Sequence, residues 1–165
     1  MEIQEKAIHN TEWTITRYEN DEDFKNNKPY NKSFIYGNCL LNEGIIGILA
    51  LIAGTTGPLT TYYDNAHAYI GVGESATAAG PTQAGLLGST VLYRGMAATY
   101  PLRSSQTMTW RAVFTGSDAN WLWTEFCVNN ASSNAGAFNL NRVVSNQGTK
   151  TSGQTWTVDV AITLT

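Results

Sequence analysis

The stretch "AYIGVGESA", residues 68–76, carries the residue types on which nucleotide chemistry is usually built. Gly71-Val72-Gly73-Glu74-Ser75-Ala76 follows a short apolar run and fits the loose dinucleotide pattern G-x-G-x-x-[GA]. Such a turn works only when it opens a helix whose first amides hold the pyrophosphate, with a carboxylate about 20 residues on for the ribose hydroxyls. Neither condition is met. After Ala76 the chain runs Thr77-Ala78-Ala79-Gly80-Pro81, and the proline ends any helix within a turn. No Asp or Glu lies between Glu74 and Asp118. The glycines are expected instead to mark a strand end where two backbones approach closely.

Other constellations are equally thin. Asp64, His67 and Ser75 are the right types for a nucleophilic triad. Ser75, however, sits in no G-x-S-x-G elbow, and His67 reads as an ordinary strand histidine beside Tyr69. The two histidines are far apart with no ligand spacing, so no metal is expected. Cys39 and Cys127 make no C-x-x-C pair and read more simply as two buried thiols than as a disulfide. Glycoside hydrolysis needs two carboxylates flanking one bond, but no spacing selects a pair from Glu43, Asp64, Glu74, Asp118, Glu125 and Asp159. Glu125, between Trp123 and Phe126, stands out most, and its plainer reading is a strand carboxylate paired with Arg111 or Arg142. Trp110, Trp121, Trp123 and Trp156 have the types of a sugar-stacking platform, although strand tryptophans more often fill cores and interfaces. No catalytic residue, cofactor or metal ligand is assigned, and the chain is not expected to be an enzyme.

The elements that would position these residues are mostly strands. At 165 residues the chain can bury the core of one domain. Charged residues make up 14%, against roughly 25% in an average soluble protein, and a net charge of -3 offers no basic field for nucleic acid. "MEIQEKAIHN" lacks an apolar signal-type core, and the run Ile45 to Ala53 is far short of the roughly 20 residues that span a bilayer. A soluble chain with neither nucleic-acid nor membrane partners is expected.

Period-two alternation runs through "EWTITRY" (12–18), "QTMTWRAVF" (106–114), "NWLWTEFCV" (120–128) and "TWTVDVAITLT" (155–165). The second places Met108, Trp110, Ala112 and Phe114 on one face, and the last places Trp156, Val158, Val160, Ile162 and Leu164 inward. "TGSDAN", "NNASSNAG" and "SNQGTKTSGQ" supply turns between strands. The expected fold is mainly β, an antiparallel sandwich or barrel, with one buried helix over about 42–53. Asn42 is the expected N-cap of that helix and Gly54 its stop. The polar tract 19–32 reads as a linker or long loop. This divides the chain into an N-terminal strand or arm with its linker (1–32) and a β-rich domain (33–165). The strand 12–18 has two open readings: an arm that adds to a neighbouring subunit, or the first strand of its own sheet.

"GNCLLNEGI", "AYIGVGES", "TYPLRSSQTMTWRAVF", "ANWLWTEFCVNN" and "NRVVSNQGTKTSGQTWTVDVAITLT" resemble stretches of small structural proteins of tailed bacteriophages, in consistent order from Gly37 to Thr165. "EWTITRY" shares the likeness. The resemblance implies a virion location, with assembly in the host cytoplasm, and brings no catalytic residues. It implies a β-rich module built into or onto the particle. In that context the strand "EWTITRY", its polar tether and the weakly charged outer faces suit a capsid decoration (cement) protein that binds the major capsid protein, or other virion proteins, through its β-domain and N-terminal arm. The alternative is a tail, fibre or head–tail connector component that recognises host glycans. A homo-oligomer is expected, a trimer or ring suiting capsid symmetry. The residues singled out for interaction are Trp13, Ile15 and Tyr18 on the arm, and Trp121 and Trp123 before the loop "NNASSNAG".

Overall fold

The computed structural model describes residues 9–55 and 61–165. Its elements in chain order are β1 (His9–Tyr18), α1 (Asp21–Lys25), β2 (Asn31–Tyr36), β3 (Cys39–Leu40), α2 (Asn42–Ala53) and β4 (Tyr69–Gly73). They continue as β5 (Val91–Gly95), β6 (Leu102–Ser104), β7 (Thr107–Phe114), β8 (Glu125–Asn129), β9 (Asn139–Val144) and β10 (Thr155–Leu164). The strands form two antiparallel sheets of five, β2-β1-β10-β7-β6 and β3-β9-β8-β4-β5. Of the two expected architectures the fold is the sandwich; the described strands close no barrel.

Alternation places the core. Trp13 lies opposite Val160, which in turn lies opposite Trp110, so three strands of the first sheet aim matching residues inward. Trp13, Ile15, Ala112, Phe114, Val158 and Val160 are fully buried there. The second sheet answers with Ile70, Val72, Phe126 and Val128. Trp123 sits edge-on to both Phe114 and Trp156 with ring centroids 4.8 Å apart, the preferred geometry for aromatic pairs.

Three expectations need correction. Of its two readings, the strand 12–18 is a strand of its own sheet and not a free arm. β1 runs from His9 to Tyr18 with β10 on one side and β2 on the other, so it is an interior strand of its own sheet. The tract 19–32 is an ordered hairpin connection. Asn20 caps α1 by accepting from the Asp23 amide at 2.8 Å, and Asp21, Glu22 and Asp23 occupy the first turn, where the helix dipole favours anions. Phe24 then packs edge-on to Tyr18 at 5.3 Å. The polarity of this tract therefore encodes a cap and a turn, and residues 9–32 belong to the same fold as 33–165. Residues 1–8 of the expected arm lie outside the described residues.

The third correction concerns the helix. Its bounds, 42–53, are as expected, and Gly54 ends it in the left-handed region at φ 63°. Leu41 rather than Asn42 is the N-cap, and no side chain caps it. Nor is the helix a buried one: only one face of it is covered. Its buried residues are Gly44, Gly47 and Ala50, while Ile46, Leu49 and Ile52 are 47%, 59% and 77% exposed.

Candidate interaction surface

The inversion of α2 follows from its closest neighbour. Gly44, Gly47 and Ala50 recur every three residues and so share one face, which lies against β9. A Cβ at Gly44 would overlap the Leu140 backbone, so only glycine permits this approach. Glu43 pins the start of the helix, accepting from the Asn139 amide at 3.0 Å and its Nδ2 at 3.1 Å. With the small residues turned inward, the large aliphatics must point out. Fully burying one Leu or Ile is worth roughly 1.5–3 kcal/mol, so this face forgoes several such gains in the lone chain. Apolar residues scattered singly over a surface need no explanation, but a contiguous row of them marks a contact site.

The row continues into a groove of about 500 Å³ beside the helix, lined by Ile48, Leu51, Tyr62, Met108, Ile162 and Leu164 among others. Tyr62 and Leu164 are more than half exposed, which extends the apolar surface from the helix to the end of β10. The floor of the groove is held by hydrogen bonds: the Trp110 indole donates to Tyr63 O at 3.0 Å, and the Tyr63 hydroxyl donates to Phe138 O at 2.9 Å. Burial pushes the Tyr63 hydroxyl far above its ordinary range, so it stays a neutral donor.

The residues singled out for interaction lie elsewhere. Trp13, Ile15 and Trp123 are fully buried and Tyr18 is 6% exposed, so none of the four offers surface to a partner. Large aromatic and aliphatic side chains suit a contact and a core alike, and the tertiary structure uses these to fill the core. Trp121 is half-buried and packs against the core, its indole N–H without a hydrogen-bond partner among the described residues. The expected strand 120–128 also begins later, at Glu125. Trp121 and Trp123 precede it in a loop that Trp123 closes by donating its indole N–H to Ala119 O at 2.8 Å. The Trp123 amide donates to Gly148 O at 3.0 Å.

The residues considered for chemistry are now placed as well. The glycines of "AYIGVGESA" end β4 and carry no helix after them. Side chains rather than a second backbone occupy the space above Gly71: a Cβ there would lie 2.6 Å from Tyr93 Cε1 and 2.9 Å from Cys127 Sγ. His67 is in a turn rather than on a strand, its Nδ1 2.7 Å from Asp64 Oδ1, and the Ser75 hydroxyl accepts from the Thr77 amide. No hydrogen bond joins His67 to Ser75 among the described residues. Cys127 is a buried free thiol, pushed up to about 12 chiefly by that burial, and Cys39 is a half-buried one.

Glu125 pairs with Arg142, one of its two expected partners, and both side chains are fully buried. Its Oε2 accepts from Arg142 Nη2 at 2.7 Å, Arg142 Nε at 2.9 Å and the Leu87 amide at 2.9 Å. Its Oε1 accepts from the Gly88 amide at 2.7 Å. Arg142 in turn donates from Nη1 to Gln83. Every partner of the carboxylate is a donor, the pattern of a clamp that holds the loop 74–90 onto the sheet. The α2 face was the feature that reasoning from residue types missed. Its signal was the spacing of Gly44, Gly47 and Ala50, small residues at helical intervals that mark the inward side.

Comparison with protein-family models, with curated proteins and with solved structures gives no match to this chain. Among the described residues no three His, Cys, Asp or Glu side chains group as a metal site, and no helix is long and apolar enough to cross a membrane.

Proposed function

We propose that this chain is a structural subunit of a bacteriophage particle, a capsid decoration protein that seats the α2 face on the shell. The observation that carries the reading is the inverted helix: a complete sandwich core coexists with Ile46, Leu49 and Ile52 turned to solvent. A subunit whose function is to be built into an assembly has reason to keep such a face open. The phage context rests on the resemblance of the quoted stretches. Residues 9–18 offer no edge to a shell protein, because β1 is paired along both edges. Glycan recognition through Trp121 and Trp123 finds no support either, since Trp123 is fully buried and Trp121 is turned toward the core.

The first experiment is the copy number of this chain per purified particle, by quantitative mass spectrometry against the major capsid protein. A ratio near one per shell subunit is the expected result. A few copies per particle would move the chain to the tail or connector, and absence from particles would overturn the structural reading. Ile52→Lys is expected to abolish binding to undecorated shells without unfolding the protein.

A further inference from the structure

The sandwich has four sheet edges, and β2 is the longest of them at six residues, against two for β3, five for β5 and three for β6. The register with β1 shows which of its groups are free. Gly37 donates to Thr11 O, and Ile35 and Ser33 stand opposite Trp13 and Ile15, so the odd-numbered residues of β2 bond to β1. The N–H and C=O of Lys32, Phe34 and Tyr36 therefore point away from the sheet, and no described residue bonds to them. Natural sheets protect such an edge with charges, proline or a bulge. β2 has an unbroken register and no proline, and Lys32 is its single charge. On its outer face Phe34 and Tyr36 are 49% and 74% exposed, their rings stacked at 14° with centroids 6.4 Å apart.

We infer that β2 is a homotypic interface: two copies of this chain pair their β2 strands antiparallel about a twofold axis at Phe34. This inference stands apart from the shell-docking reading. In that register Phe34 faces Phe34 of the second copy and Lys32 faces Tyr36. Every outward N–H and C=O of Lys32, Phe34 and Tyr36 then finds a partner, which pairing centred on Ser33 or Ile35 does not provide. The side chains match too. Lys32 already places its ammonium 5.5 Å from the Phe34 ring centre, and the second copy brings Tyr36 to the same cation. Aromatic pairs and opposed hydrogen-bonded residues are what stabilise neighbouring strands. The result is one continuous sheet through both subunits. An isologous contact of this kind closes on two copies, so by itself it builds neither a trimer nor a larger ring.

Sedimentation velocity of the purified full chain over a concentration series tests this. A reversible dimer is expected. Phe34→Lys places like charges opposite each other on the axis and should weaken the dimer on the order of a hundredfold or more, with the far-ultraviolet circular dichroism unchanged. Phe34→Cys, in a Cys39→Ser background, should form a covalent dimer on mild oxidation, and Lys32→Cys should not. Leu49→Lys on α2 should leave the dimer intact. A chain monomeric at every concentration overturns the inference. So does a dimer indifferent to Phe34→Lys; one that is instead lost with Leu49→Lys would put the self-contact on α2.

Discussion

The two sheets of the sandwich share a core but treat their outer faces differently. The sheet built on β1, β7 and β10 has an outer face of threonines and charges that is half-buried over β7 and the end of β10, where Arg111 Nε donates to Asp159 Oδ1 at 2.6 Å with the arginine 41% and the aspartate 15% exposed. The sheet built on β4, β8 and β9 is covered on both faces. All of β8 is buried, and the loop 74–90 is fastened over it by the Glu125–Arg142 pair at 0% exposure. The same two residue types, Arg and a carboxylate, thus do different work. On the first sheet the arginine still reaches water, which screens the contact. On the covered sheet the charges have lost their water, and each now depends on the other.

The sharpest way to break that comparison is to remove one partner from each pair. Arg142→Ala leaves Glu125 buried and uncompensated and should cost about 3–5 kcal/mol in urea unfolding. Asp159→Ala should cost about 0–1 kcal/mol. Similar losses at the two sites would show that the cover is not held as described. Next in size is the close packing beneath that cover. Gly71→Ala drives a methyl into Tyr93 and Cys127 and should destabilise by about 1–3 kcal/mol, whereas Thr109→Ala on the outer face of the first sheet should stay within about 0.5 kcal/mol.

A pH series sharpens the same contrast. Burial raises the Cys127 thiol to about 12 and the Tyr93 hydroxyl well above its ordinary range, and both lie on the covered face. The unfolded thiol ionises near 9, so its contribution is complete below that pH and is lost as pH rises toward 12. Unfolding free energies measured from pH 8 to 11 should therefore fall more steeply in the native chain than in Cys127→Ala, by up to about 1.4 kcal/mol per pH unit. Burial lowers Lys150 to about 8, which acts in the opposite direction between there and its ordinary value, but both proteins share it and it cancels in the difference. The smallest effect is expected on α2, where Ile52→Ser should shift stability by less than about 0.5 kcal/mol.

How much was legible follows the same division. In the first sheet apolar residues face the core and polar or small ones face away, so "QTMTWRAVF" and "TWTVDVAITLT" show their inward residues from period two alone. Only Leu164, at the strand end, was placed inward and is exposed. On the covered sheet both faces are buried and the contrast disappears. "NWLWTEFCV" therefore looked like one strand, although its first residues form a loop and the ladder starts at Glu125. The need of Glu125 for an arginine was readable from its type. The choice between Arg111 and Arg142 was not, because it depends on β8 pairing with β9, which sets Cys127 opposite Arg142.

The sequence by itself determined the class of fold, the bounds of α2 and the poverty of phosphate-binding and triad motifs, because strand period, a glycine stop and motif context are local properties of the chain. Only the tertiary structure decided which tryptophans vanish into the core, which arginine meets Glu125, that β1 is an interior strand, and that α2 turns its glycines inward and its leucines and isoleucines out. Those outcomes depend on which surfaces meet across the sandwich, and contacts between residues far apart in the chain leave no period along it to be read.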